Sequence, residues 1–311
     1  MPRGVMSLAT ILLSTILLLS GTSYAQTISG SIAGNIVDAQ HAALANASVT
    51  AKDLEQQFTF STRTDETGRF AFPQVPPGTY TIQVEAPGFK RLERSRIVLS
   101  ANDKLALGEL TMEVGAVTEQ IEVSAQAVVL QTESAERSAT LVSKQIENIA
   151  VNGRSYLALA GIAPGVVSTV NLATAGPGGL ANISANGTRT NSNQLTINGI
   201  SNVDTGSNGS VNVTLSLDSV QEFKMLTGVY QAEYGRSMGA QINLVTKSGS
   251  SDIHGSAYWF HRHDGLNANS WINNRQPVGA GGNPRTLFRF NDVGFTIGGP
   301  VYIPKILKSR Q

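Results

Sequence analysis

Cysteine is absent from the 311-residue chain, which excludes disulfides and thiolate metal sites. Stability must then come from burial and sheet pairing. A strong net charge is missing too, with 23 Lys and Arg set against 22 Asp and Glu. The sequence therefore shows no electrostatic footprint for nucleic acid or an anionic membrane surface. Charged residues make up only 14%, while Gly, Ser, Thr and Asn are plentiful, a balance that suits turn-rich β structure better than helical bundles. Beyond the N-terminus no apolar run approaches the roughly 20 residues of a membrane-spanning helix. Any further encounter with a bilayer would have to use β-strands. Histidine is sparse: His41 stands alone before His254, in a turn expected to be solvent-exposed. His254, His261 and His263 fall on an amphipathic strand without spaced carboxylates, so ordinary strand surface is expected there. Gly176-Pro177-Gly178-Gly179 lacks the Lys-Ser/Thr of a phosphate loop. No cofactor or metal is expected.

What is present begins with an export signal. Arg3 supplies a positive start, Leu8–Ser20 an apolar stretch too short for a span, and Ser23-Tyr24-Ala25 the small residues of a cleavage site. Residues 1–25 read as a signal peptide, and the remaining length has room for roughly two domains with linkers.

Residues 27–114 give seven short strand candidates: 30–37, 47–53, 57–64, 69–72, 79–85, 95–100 and 104–113. Apolar residues alternate within them, as in Phe58 and Phe60, Phe70 and Phe72, and Tyr80, Ile82 and Val84, the period of a half-buried antiparallel strand. Turn residues separate them, at Asp65–Gly68, Pro76-Pro77-Gly78, Pro87-Gly88 and Ala101–Asp103. This is the pattern of a small β-sandwich. The run Thr64–Lys90 closely resembles the carboxypeptidase regulatory-like domain, a transthyretin-like sandwich, through Asp65, Gly68, Phe70, Phe72, Pro77-Gly78, Tyr80 and Gly88-Phe89, with Val75 in place of the usual Leu. Gly68 and Gly78 are expected to allow tight turns and the aromatics to fill the core. The resemblance implies no peptidase activity.

Residues 115–125 are a linker. Its alternating piece Thr118, Glu119, Gln120, Ile121, Glu122 and Val123 reads equally as a last sandwich strand or as a TonB box, an extended segment recruited by a partner through strand addition. Its place just before a plug-like region favours the coupling role. Residues 126–247 then show two short helical signals, the first capped by Ser143 and the second running from Tyr156 to Pro164-Gly165. Strand–turn–strand runs follow at Ile183–Arg189 and Asn193–Ser201, then a capped turn at Asp218 and strands near Phe223–Thr227 and Gly239–Gly249.

That order, with NGRSYLALAGIAPGV, NGTRTNSNQLTINGISN, SVQEFKMLTGVYQAEYGRSMGAQINLVTKSG and HGSAYWFHRHDGLNANSWINNR, resembles the plug of TonB-dependent outer-membrane receptors of the Oar-like branch, which carry the regulatory-like sandwich in front. Asn198 departs from the Asp that many relatives carry in this turn, and Asn-Gly serves the same geometry. The resemblance implies that Glu233, Tyr234 and Arg236 form a charged turn against a barrel wall. A rival pattern overlaps it: Gly235-Arg236-Ser237-Met238-Gly239 fits the nucleophile elbow of serine hydrolases, with Asp252 or Asp264 and His261 or His263 behind it. The elbow needs a strand leading into a helix, and here a strand-like INLVTK follows, so no enzyme is expected.

In residues 248–311, His254–Arg262 puts Tyr258 and Phe260 on one face, and Asn291–Ile303 puts Val293, Phe295 and Ile297 on one face. This is barrel-strand alternation. A receptor barrel has about 22 strands, so the sequence reads as a first hairpin with the rest missing. The expected fold is mainly β: a transthyretin- or Ig-like sandwich, an α+β plug, and the start of a transmembrane barrel. The resemblance implies a receptor or transporter of the outer membrane. Its partners would be a TonB-type coupling protein and an extracellular siderophore, carbohydrate or peptide, with no nucleic acid. Pull through residues near 118–125 would displace the plug. A product ending after one hairpin would be a truncated fragment, able to remain periplasmic. The alternative is a soluble exported carbohydrate- or protein-binding sandwich module.

Overall fold

The computed structural model describes residues 28–115, 120–124, 135–168, 182–231, 234, 235, 237–269, 271–275 and 287–300. Residues 1–25, read above as a signal peptide, Thr118, Glu119, Glu233, Arg236 and the end of the expected second barrel strand lie outside the described residues.

The first unit holds strands β1 (Gly30–Asp38), β2 (Ser48–Asp53), β3 (Thr59–Arg63), β4 (Arg69–Val75), β5 (Gly78–Glu85), β6 (Arg91–Leu99), β7 (Lys104–Met112) and β8 (Gln120–Ser124). They form a three-stranded sheet, β4-β1-β7, and a five-stranded sheet, β3-β2-β5-β6-β8. Alternating apolar residues fill the space between, with Ile32, Ile36, Phe70, Tyr80, Ile82, Ile97 and Met112 all buried in one cluster. Burying such side chains is the main stabilising term, at about 1.5–3 kcal/mol each. The period-two pattern gives the strands but not their direction: β1 runs parallel to β7 and β6 parallel to β8, where antiparallel pairing was expected. Phe58 lies outside β3 and is exposed, so only Phe60 packs on the core.

Gly68 has φ +75°, and a Cβ there would stand 2.5 Å from the Ile36 carbonyl oxygen, so the turn into β4 needs glycine. Gly78 is different. Its φ is not positive, and what requires glycine is the Asp53 carboxylate, 2.8 Å from where a Cβ would sit. Tyr80 donates to the Pro76 carbonyl at 2.8 Å, and burial, with the Asp53 charge second, raises its pKa. His41 is an exposed turn residue with φ +63°, and its Nδ1 lies 3.2 Å from Glu109.

The second unit is built on a five-stranded sheet, β13-β12-β15-β14-β9. Its strands are β9 (Arg137–Val142), β12 (Gln194–Ile197), β13 (Ile200–Ser201), β14 (Val220–Gly228) and β15 (Gln241–Thr246). A separate pair, β10 (Val166–Ser168) and β11 (Ile183–Ala185), packs beside it. Helix α1 (Ser143–Asn148) and a 3-10 helix, Tyr156–Ile162, close the core with Ile146, Tyr156, Leu157 and Leu159. Ser143 does not cap α1. Val142 holds the cap position, its N–H bonded to Gln145 Oε1 at 3.1 Å, while Ser143 turns its hydroxyl to Glu147. The expected Asn-Gly turn is present, with Asn198 at φ +49° and Gly199 at φ +80° joining β12 to β13.

A two-stranded sheet, β16 (His254–His263) with β17 (Arg289–Gly298), forms the third element. The loop between them includes α2 (Trp271–Arg275), whose Arg275 guanidinium lies 4.7 Å from the Trp271 ring. Cross-strand partners share a face, so Trp259 with Val293 and Ala257 with Phe295 lie on one side, and Tyr258 with Gly294 and Phe260 with Asp292 on the other. The first face is bare: Trp259, Val293, Phe295 and Ile297 are each at least 69% exposed, the outward apolar band of a barrel wall. Among the described residues no helix is long and apolar enough to cross a membrane, which says nothing about strands.

Candidate functional site

The inward face of the hairpin meets the second unit at one arginine. Asn152-Gly153-Arg154 forms a single 3-10 turn in which Gly153 (φ +76°) and Arg154 (φ +50°) both adopt left-handed backbone. That turn aims the Arg154 side chain at the hairpin. Its guanidinium bonds Asp218, and Nε stands 3.3 Å from Asp292 Oδ2 on β17, near enough for charge attraction without hydrogen-bond alignment. The guanidinium carbon lies 3.8 Å from the Phe260 ring centroid and 5.2 Å from that of Tyr258, a cation–π pair. The Arg154 side chain is only 17% exposed, so these contacts are little screened.

Local chemistry places each partner. Ser216 caps the 3-10 turn Leu217–Ser219 by accepting the Asp218 N–H, so Asp218 is inside the capped turn and its carboxylate is free to hold Arg154. The Ser216 hydroxyl lies 2.7 Å from the Tyr258 hydroxyl. Gly294 faces Tyr258, and a Cβ there would fall 2.2 Å from the Tyr258 oxygen, so glycine lets the ring lie across the hairpin toward the plug. Beside Arg154 a cleft of about 560 Å³ runs between the α1 C-terminus and Phe260, Arg262 and Phe290. A second ion pair, Lys247 with Glu147 at 2.7 Å, ties the end of β15 to α1 and lowers the Glu147 pKa, chiefly through that hydrogen bond. Tyr156, buried beneath these elements, has its hydroxyl pKa pushed up to about 12 by burial.

Of the three residues expected to contact the wall, Tyr234 alone is described. Glu233 and Arg236 lie outside the described residues. Tyr234 packs edge-to-face on Tyr230 at 6.1 Å and lines a cleft with Gln194, Gln241, Asn243 and the sandwich residue Asn102, on the side of the plug that meets the sandwich. Arg154 was missed because its motif, Asn-Gly-Arg, shows a turn but none of its partners, which lie 64 residues or more along the chain.

Of the coupling segment, Gln120, Ile121, Glu122 and Val123 belong to β8, hydrogen-bonded in parallel to Arg91–Arg94 of β6 at the edge of the sandwich sheet. The strand reading and the coupling reading thus concern the same atoms, since an edge strand is what a strand-adding partner recruits. Ser237 stands in a loop that leads into β15, not into a helix, and its hydroxyl lies 2.9 Å from the Ser192 and 3.0 Å from the Ala240 carbonyl oxygen. His261 bonds Asn291, and His263 lies 3.6 Å from Asp264, both within the hairpin region. This is not a nucleophile elbow. Among the described residues no three His, Asp or Glu side chains converge as a metal site.

Comparison with known proteins gives the same sequence of parts. Residues 31–113 match the model of the carboxypeptidase regulatory-like domain, 131–240 that of the TonB-dependent receptor plug domain, and 245–310 that of an outer membrane beta barrel domain. Over 303 residues the chain is 32% identical to the TonB-dependent transporter Oar of Myxococcus xanthus, covering 93% of this chain and 27% of that protein. It thus spans about a quarter of the length of the curated relative it matches. Among solved structures, the outer membrane transporter YddB from Escherichia coli shares 18% identity over 52% of this chain and 24% of its own, with a TM-score of 0.39. The siderophore receptor PirA from Acinetobacter baumannii shares 18% over 54% and 23%, with a TM-score of 0.37. With a regulatory-like domain, a plug and outer-membrane barrel strands matched in that order along one chain, the protein belongs to the TonB-dependent receptors of the outer membrane.

Proposed function

We propose that this chain forms the gating end of an outer-membrane transporter: a plug clamped to the barrel wall by Arg154 and pulled, through residues 118–123, by a TonB-type protein. The observation that carries the reading is the Arg154 contact itself. One plug cation faces a carboxylate and an aromatic ring on the inward side of a strand whose outward side is apolar. Such an arrangement suits a plug that must stay seated at rest and let go under force. Catalysis has no part in the reading, and export would follow from residues 1–25. The ligand would be a surface-bound siderophore, carbohydrate or peptide. Glu233, Tyr234 and Arg236 would touch other strands of the wall.

The absence of native cysteine makes the coupling test direct. Single cysteines at Ile121 and, as a control, at the exposed Val98 would be paired with cysteines in the periplasmic domain of a TonB-type protein. Cross-linking at 121 and not at 98, in protein recovered with outer membranes, is expected. Equal yields at both positions, or none at 121, would refute the coupling role.

A further inference from the structure

The plug sheet has a second face that, apart from Leu226, is polar and nevertheless buried. Phe223, Met225, Ile242 and Leu244 point into the plug core, so Glu222, Lys224, Gln241 and Asn243 point the other way, and these four are only 5%, 1%, 2% and 1% exposed. Glu222 and Lys224 are covered by the β6–β7 turn of the sandwich. Lys224 Nζ lies 2.6 Å from Asp103 Oδ1 and 2.9 Å from the Ala101 carbonyl oxygen, and the Ala101 N–H donates to Glu222 at 3.0 Å. Lys104 to Gln231 and Gln56 to Ser248, each at 2.6 Å, flank this cluster. The apolar cores of sandwich and plug are separate clusters. A contact made of charges and hydrogen bonds loses little apolar burial when it parts, because its polar groups regain water.

We propose that the sandwich is a detachable cap on the polar face of the plug sheet, latched by Asp103 and the Ala101 backbone to Lys224 and Glu222, and that the latch loosens as pH rises through neutrality. One cation sits among two carboxylates. Glu222 is pushed up to about 7, first by burial and then by Asp103, against the pull of the Ala101 N–H, Lys224 and Ser100. The neighbouring strands set Val142 and Val245 opposite it and add no charge. Undocked, Glu222 meets water and returns toward its ordinary 4.5. The docked state therefore holds the extra proton: docking is favoured below neutrality and weakens as pH rises through about 7, by about tenfold between pH 6 and pH 8.

Hydrogen exchange on the full chain tests this without any coupling partner or ligand. Lys224→Met should raise exchange at residues 100–104 by on the order of a hundredfold, with Phe70–Phe72, Tyr156–Ala160 and Phe223–Leu226 still protected. In the parent chain, protection at residues 100–104, corrected for intrinsic exchange, should fall about tenfold from pH 6 to pH 8. Glu222→Gln should abolish that fall. Exchange that rises throughout both units in Lys224→Met, or not at all, overturns the latch. A pH dependence that persists in Glu222→Gln overturns the proton switch, whether or not Lys224→Met folds.

Discussion

Replacing Arg154 by alanine is the sharpest probe of the plug–wall contact. The change removes a charge-assisted bond to Asp218, the attraction to Asp292 and the cation–π contact with Phe260. A charge-assisted bond is worth about 1.5–3 kcal/mol and the cation–π contact about 0.5–2 kcal/mol. Asp218 and Asp292 are left facing one another without a cation, but they are 16% and 29% exposed. Water reaches them, so the penalty falls short of the 3–5 kcal/mol or so of a fully buried broken pair. The Asp218 bond lies within the plug, so seating of the hairpin loses chiefly the Asp292 attraction and the cation–π contact, about 2 kcal/mol or about thirtyfold in equilibrium constant. Arg154→Lys keeps a charge but loses the planar fork and the stacking, and should lose about half as much. The assay is hydrogen exchange in detergent micelles along His254–His263, with Phe223–Leu226 in the plug core as internal reference. Arg154→Ala should deprotect the hairpin and leave the reference unchanged. Unchanged hairpin protection, or a lysine variant equal to the parent, would refute the clamp.

Three further outcomes follow from single positions. Gly68→Ala forces a side chain into left-handed backbone against the Ile36 carbonyl and should cost the sandwich at least about 1–3 kcal/mol, read as a lowered midpoint in its thermal or denaturant transition. Asn198→Asp should be nearly silent, since either residue accepts the Thr246 N–H at 3.0 Å and tolerates the turn. Asn198→Ala should cost about 1–3 kcal/mol, and a neutral alanine in urea unfolding would disprove the turn's role. Tyr156 has its pKa raised by burial to about 12 against 10.0 in water. Its contribution is fully present below pH 10 and lost as pH rises toward 12, by up to about 3 kcal/mol. Tyr156→Phe should therefore flatten the alkaline decline of plug stability, and an unaltered decline would count against this assignment.

Much of this molecule could be read from its sequence because the relevant forces are local. Alternation at Phe70 and Phe72, or at Val293, Phe295 and Ile297, sets which face of a strand is apolar whatever lies opposite. Asn198-Gly199 fixes a turn because few other residues tolerate left-handed backbone. Tertiary structure decided the rest, where partners are distant. Arg154 gained its role from Asp218, Phe260 and Asp292, three groups no spacing rule connects. The parallel pairing of β1 with β7 and of β6 with β8 depends on how the chain returns, not on period two. Glu222-Phe223-Lys224-Met225 has the alternation of a strand with one wet face. Only the docked sandwich turns that face into a buried polar layer, because burial is a property of what arrives from elsewhere in the chain.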